Sequence, residues 1–93
     1  MSKSILSNKE ECYVCKIPFN LHKHHIFYGT ANRKQSEKYG CWVYLCAYHH
    51  NMSNEGVHFK KSLDVILKQE CQRRFEKYGT REEFRKIFGK SYL

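Results

Sequence analysis

Cys12 and Cys15 are separated by two residues, and so are Cys46 and His49. A knuckle with that spacing lets two side chains reach one ion from a tight turn. Two knuckles together offer three thiolates and one imidazole to a tetrahedral zinc. Such a site closes the intervening chain into a loop and ties its two ends together. The plain alternative is a pair of free thiols near the chain start. The five cysteines, Cys12, Cys15, Cys41, Cys46 and Cys71, are an odd number. In the reducing compartment expected below, an odd count favours a metal over a disulfide framework. Cys41, beside Trp42, and Cys71, inside a helical pattern, read as small buried side chains rather than ligands.

The zinc leaves histidines over. His24 and His25 lie between the two half-sites, and His50 follows the second directly. Neighbours on a strand point to opposite faces, so His24 and His25 do not easily serve one ion. One of them is free to bind a metal while the other does something else, such as activating water. His22 shares a face with His24 and is a possible extra ligand or phosphate contact. His50, one residue beyond a rigid knuckle, is placed to share a second metal with His24. Alternatively His50 rather than His49 completes the zinc site, and spacing alone leaves that swap open. His58, after a glycine turn, is a further candidate for the metal or a phosphate, or else a plain surface histidine.

The elements that must carry these residues are legible in outline. Residues 1–11 are polar and expected to be loose. Ile17-Pro18-Phe19 reads as a turn or strand entrance. His22 to Tyr28 has strand character, ended by Gly29. Asn32 to Tyr39 reads as a surface loop or short helix, with Gly40 as its stop. Trp42-Val43-Tyr44-Leu45 is a second β-favouring run that delivers Cys46 and His49. His50-Asn51 opens a short helix or a loop, and Asn54-Glu55-Gly56 signals a turn. Ser62 is placed as the N-cap of a helix carrying Leu63, Ile66, Leu67, Cys71, Arg74 and Phe75 at helical spacing. Gly79 is expected to close that helix in a left-handed conformation. Thr80-Arg81-Glu82-Glu83 is a capping box, and Phe84, Ile87 and Phe88 form one apolar face of a last helix.

The chain has 93 residues, enough for one domain whose limited core gains from a metal staple. A 41% hydrophobic fraction suits a folded domain. A mean hydropathy of −0.75 and the lack of a long apolar run argue against a membrane span. The start has no apolar segment of signal-peptide length, which leads us to expect a cytoplasmic protein. Seventeen Lys and Arg against nine Asp and Glu give a net charge of +8. That balance favours a polyanionic partner, nucleic acid first, although a merely solvated cationic face explains it equally well. Charge does not separate DNA from RNA. Arg33, Lys34 and Lys38, and Lys60 and Lys61 after His58, are the candidate phosphate contacts. Arg73, Arg74, Arg81, Arg85 and Lys86 sit on the helices, where a solvated face is the commoner role. Tyr28, Tyr39 and Tyr44 have rings able to stack on bases, but packing explains them as well.

The order Cys12-Tyr13-Val14-Cys15, His24-His25-Ile26, Leu45-Cys46-Ala47-Tyr48-His49-His50-Asn51 resembles the HNH family of endonucleases, the zinc-bound ββα-metal type, and is similar to small HNH proteins of phages and prophages. The likeness spans residues 12 to about 60; residues 61–93 lie outside it. It implies a zinc-clamped ββα-metal core over 12–60; with the two C-terminal helices read above packed on it, the expected fold is a small α+β domain over 12–93. It implies a metal-dependent endonuclease acting on DNA in a bacterial host cell, with a structural Zn²⁺ and a catalytic Mg²⁺ or other divalent ion. His24 and His50 would hold that ion, and His25 would be the general base that takes a proton from the attacking water. The family's middle asparagine orients the base. Here its position is Cys41, so the role would pass to a backbone carbonyl or another side chain; Asn32 and Asn51 are available, but neither matches the motif. The competing classes are a non-catalytic zinc-stabilised nucleic-acid-binding module and a zinc-dependent protein-interaction domain, the latter less compatible with the charge.

Overall fold

A computed structural model describes residues 3–50, 56–58 and 60–93. The elements run β1 (Leu21–His25), α1 (Thr30–Tyr39), β2 (Trp42–Cys46), α2 (Ala47–His50), α3 (Lys61–Phe75) and α4 (Arg81–Phe88). The result is a small α+β domain with a two-stranded sheet and several helices. Among the described residues no helix is long and apolar enough to cross a membrane.

β1 and β2 pair antiparallel, with Leu21 opposite Cys46, His22 opposite Leu45, Lys23 opposite Tyr44, His24 opposite Val43 and His25 opposite Trp42. The first knuckle docks on the outer side of β2, where the Tyr13 N–H donates to the Tyr44 carbonyl at 2.8 Å. Beyond β1 the ladder continues for one more bond, from the Ile26 N–H to the Cys41 carbonyl at 2.9 Å. The expected strand through Tyr28 is therefore shorter, because Phe27 leaves the sheet to enter the core.

α1 is a helix with almost nothing apolar to bury; Ser36 is its buried residue. Beside a contact of Tyr39 with Phe75, what holds it is polar. The Ser36 hydroxyl donates to the Phe27 carbonyl at 2.7 Å and accepts from the Phe27 N–H at 3.1 Å. These two bonds pin the helix to the chain just beyond β1 and satisfy backbone groups that would otherwise be buried unpaired. Gly40 ends the helix in the left-handed conformation, φ 71°, with its N–H on the Ser36 carbonyl.

The core is aromatic at its C-terminal side. Phe27 meets Phe88 at 4.3 Å and Phe84 at 5.2 Å between ring centroids, and Phe84 meets Phe75 at 5.5 Å. Leu45, Val43, Ile26, Leu67, Cys41 and Cys71 fill the rest, all fully buried. α4 is capped as the sequence suggests, Thr80 Oγ1 accepting from the Glu83 N–H at 3.1 Å, and it buries Phe84 and Phe88.

Four expectations need correction. The segment expected to be loose over residues 1–11 is docked from Lys3: the Ser4 hydroxyl donates to the Trp42 carbonyl, and the Ile5 N–H to the Gly40 carbonyl at 2.9 Å. Lys60, not Ser62, is the N-cap of α3, with no side-chain cap bond. Gly79 is not left-handed. The helix ends at Phe75 with Glu76 still right-handed, and the turn N–H groups of Tyr78 and Gly79 both donate to the Phe75 carbonyl. Ile66 is 49% exposed, because the buried positions of α3 include the polar Asp64 and Gln72. Asn51 and the Asn54-Glu55 part of the expected turn lie outside the described residues.

A Cβ added at Gly40 would collide with the Lys3 carbonyl, and its φ is one that other residues reach only with strain. Gly40→Ala is therefore expected to lower stability by about 2 kcal/mol, a backbone clash adding to the left-handed penalty. Denaturant unfolding of the two proteins checks it.

Candidate metal centres

The two knuckles meet. One ligand atom from each of Cys12, Cys15, Cys46 and His49 lies within 4.8 Å of the others. Cys15 Sγ and Cys46 Sγ are 3.6 Å apart, and His49 Nδ1 stands 3.7 Å from Cys12 Sγ and 3.4 Å from Cys46 Sγ. A tetrahedral zinc with Zn–S near 2.3 Å and Zn–N near 2.0 Å requires edges of about 3.8 Å between sulfurs and about 3.5 Å between sulfur and nitrogen. The donor set fits that ion. The knuckle turn places Lys16 at φ 68° and bonds its N–H to the Cys12 carbonyl at 2.9 Å. Burial pushes the Cys12 thiol up, but backbone hydrogen bonds from Cys15, Cys46 and Val14 outweigh it and bring the pKa from 9.0 down to about 6. Backbone donors thus favour the thiolate that a metal needs. His49, rather than His50, joins the sulfurs, which resolves the alternative that spacing left open. Cys41 and Cys71 are fully buried away from them, as expected.

A second group forms on the other side of α2. His24, His50 and His58 each offer a ring nitrogen, all within 4.8 Å of one another. His24 is 3% exposed, and its Nε2 finds no hydrogen-bond partner among the described residues. A buried nitrogen left without a partner costs free energy unless something outside the chain satisfies it. His50 Nε2 is 3.1 Å from His58 Nε2. On its other side, His50 Nδ1 is 2.9 Å from His22 Nδ1. A hydrogen on His50 Nδ1 donated to His22 leaves the Nε2 lone pair facing the cluster, the arrangement in which a second imidazole orients a ligand. His22 is therefore placed as a support for His50. Burial first, then the nearby His50 and His58, lowers the His24 pKa to about 3; burial, His58 and His22 lower that of His50 to about 4. Both rings are neutral near pH 7, as ligands must be.

A cleft of about 230 Å³ opens over this group, lined by Lys23, His24, His25, Tyr28, Arg33, His50 and His58. A larger cleft of about 800 Å³ adjoins it across His25, Tyr28 and Arg33 and adds Lys34 and Glu37. So the structure brings together His24, His25, His50, His58, Arg33 and Lys34 from the sequence candidates. Lys38 stands instead 5.5 Å from the Tyr39 ring. Lys60 lines a separate hollow beside His49, and Lys61 begins α3. These three do not line the histidine clefts. Tyr28 is 46% exposed at the rim, whereas Tyr39 packs on Phe75 and Tyr44 on Trp42.

Two residues at the site escaped the sequence reading. Glu37 Oε1 lies 3.1 Å from His25 Nε2, so a carboxylate on α1 contacts the candidate base. Lys68, from α3, sits 4.5 Å from the Tyr28 ring and pairs with Asp64 at 3.0 Å. Neither belongs to a spaced motif. Both arrive through the packing of helices that sequence patterns place only loosely. No protein-family model, no curated protein and no solved structure matches this chain.

The buried His24 makes the fold acid-sensitive. The unfolded chain holds His24 at its ordinary 6.5 and takes up a proton first as pH falls. Stability tied to the neutral ring is complete above about 6.5 and is lost as pH drops toward the folded value. The melting temperature, measured without metal at the histidine site, is expected to fall from about pH 7 to about pH 5, and less steeply in His24→Leu.

Proposed function

We propose that the chain is an HNH-type, ββα-metal endonuclease that hydrolyses phosphodiester bonds of DNA. The observation that carries this reading is the convergence of His24, His50 and His58, with an unpartnered buried nitrogen among them, beside His25 in one cleft. The element order β1, α1, β2, α2 supports it in part: two paired strands followed by a helical turn, with a further helix between the strands.

His24, His50 and His58 would hold the second ion. When bound, a divalent ion there supplies Lewis acidity toward the scissile phosphate and its leaving oxygen. Three imidazoles suit zinc, nickel or cobalt; Mg²⁺, the usual ion of the family, prefers oxygen ligands and is the poorer fit. His25 removes a proton from water as its oxygen attacks phosphorus. Arg33 and Lys34, exposed along the adjoining cleft, neutralise backbone phosphates without reading bases.

Incubation with supercoiled plasmid tests this, with Zn²⁺, Ni²⁺, Co²⁺, Mn²⁺ and Mg²⁺ each supplied in turn and an RNA substrate run in parallel. Metal-dependent nicking is the expected result. Plasmid bound but left intact with every ion would establish the non-catalytic nucleic-acid-binding module instead. Salt-insensitive association with a protein, and none with nucleic acid, would favour the interaction domain.

A further inference from the structure

β1 alternates, so Lys23 and His25 project on the face opposite His22 and His24, yet both still reach the edge of the cleft over the histidine group. On that second face α1 supplies Glu37. Its carboxylate is held from two sides: Oε1 is 3.1 Å from His25 Nε2, and Lys23 Nζ reaches Oε1 at 2.8 Å and Oε2 at 2.9 Å. Lys23 in turn lies 4.3 Å from the Trp42 ring. Ser36, next to Glu37, is the residue pinned to the Phe27 backbone, so the helix cannot slide past the strand without breaking those bonds. Hydrogen bonds from Lys23 and His25 hold the Glu37 carboxyl below its ordinary range. An ionised carboxylate only accepts, so the hydrogen of the Glu37–His25 contact sits on His25 Nε2. The lone pair is then on Nδ1.

We propose that Glu37 is the positioning residue of His25, fixing its ring and its Nε2–H tautomer so that Nδ1 faces the water to be activated. The inference rests on the nuclease reading above and deepens it. Glu37 would take the place of the family's middle asparagine. Cys41, at that position in the sequence, is fully buried, and its carbonyl accepts from Ile26. In the step itself, a water proton moves to His25 Nδ1 and the water oxygen bonds to phosphorus. The bond from phosphorus to the leaving oxygen breaks, and that oxygen keeps the electron pair until solvent protonates it. Lys23 balances the charge of Glu37, so the carboxylate orients the ring without drawing the proton off Nε2. The same logic applies wherever a carboxylate bonded to one ring nitrogen selects a histidine tautomer.

The test uses zinc-loaded protein, wild type against Glu37→Ala and Glu37→Gln. Long-range proton–nitrogen correlations at fixed pH report the His25 tautomer, and plasmid nicking reports turnover. Wild type is expected to show a protonated Nε2 and a bare Nδ1, and Glu37→Ala a mixture of both tautomers. The kcat of Glu37→Ala is expected to fall about 100-fold with KM little changed, and Glu37→Gln, which keeps an acceptor, to recover part of the loss. Unchanged zinc content confirms that the variants fold. A His25 that keeps its Nε2–H form in Glu37→Ala overturns the proposal, as does a loss confined to KM. A tautomer that depends on Glu37 in a wild type that never nicks supports the pairing and refutes the nuclease reading, so the two failures are separable.

Discussion

Cys12→Ser is expected to leave a chain without a cooperative unfolding transition at neutral pH. Cys12 is fully buried, part of the hydrophobic core and close to Cys46. Structural zinc contributes an apparent ~10–16 kcal/mol in small domains, against a total stability of roughly 5–15 kcal/mol for most folded proteins. A chain of 93 residues with a two-stranded sheet has little else to replace it. The substitution removes a thiolate ligand and leaves a buried hydroxyl in its place. Circular dichroism during heating, with zinc content measured on the same sample, gives the outcome, and a chelator should have the same effect on wild type. Cys71→Ser, at a buried cysteine away from the cluster, should retain its zinc.

The second large effect follows from the proposed nuclease reading. His25→Ala is expected to lower the nicking rate by about 100- to 10,000-fold, the range a general base supplies, while zinc content and melting temperature stay near wild type. His25 is 14% exposed at the side chain and belongs to neither ligand group, so its loss leaves both ligand sets intact. His24→Ala should behave differently, losing the second ion along with activity. The two centres are nonetheless linked. His49 and His50 are adjacent on α2, and that single turn sends one imidazole to the sulfurs and the next to the histidine group. An ion held by the sulfurs and His49 would fix α2, and α2 would fix His50. Zinc loss therefore disables the second site too, but the reverse need not hold.

Much of this site was readable because its chemistry is local in sequence. The two knuckles have fixed spacing, and strand alternation separates His24 from His25 whatever the register. The capped α4 with Phe84 and Phe88 was readable for the same reason. Glu37 was not. α1 lacks an apolar stripe; beside the Tyr39 contact with Phe75, its attachment is polar, the two hydrogen bonds exchanged between the Ser36 hydroxyl and the Phe27 backbone and those of Glu37 to β1, which no periodicity encodes. The N-terminal segment misled in a related way: Ser4 docks through its hydroxyl, and only Ile5 and Leu6 beside it add apolar contact with the core. On α3, Asp64 takes its place inside by pairing with Lys68, and Gln72 by bonding Ser91, Glu76 and Tyr92. That exchanged Ile66 for polar residues on the buried face. Where polar contacts rather than apolar area fix an element, residue type alone does not reveal its inward side.

The most direct test is crystallographic: anomalous diffraction at the zinc edge from protein crystallised with excess zinc. Two peaks are predicted, one enclosed by Cys12, Cys15, Cys46 and His49 and another in contact with the Nε2 atom of His24. A single peak among the sulfurs, with the rings of His24 and His50 turned away from each other, would contradict the account.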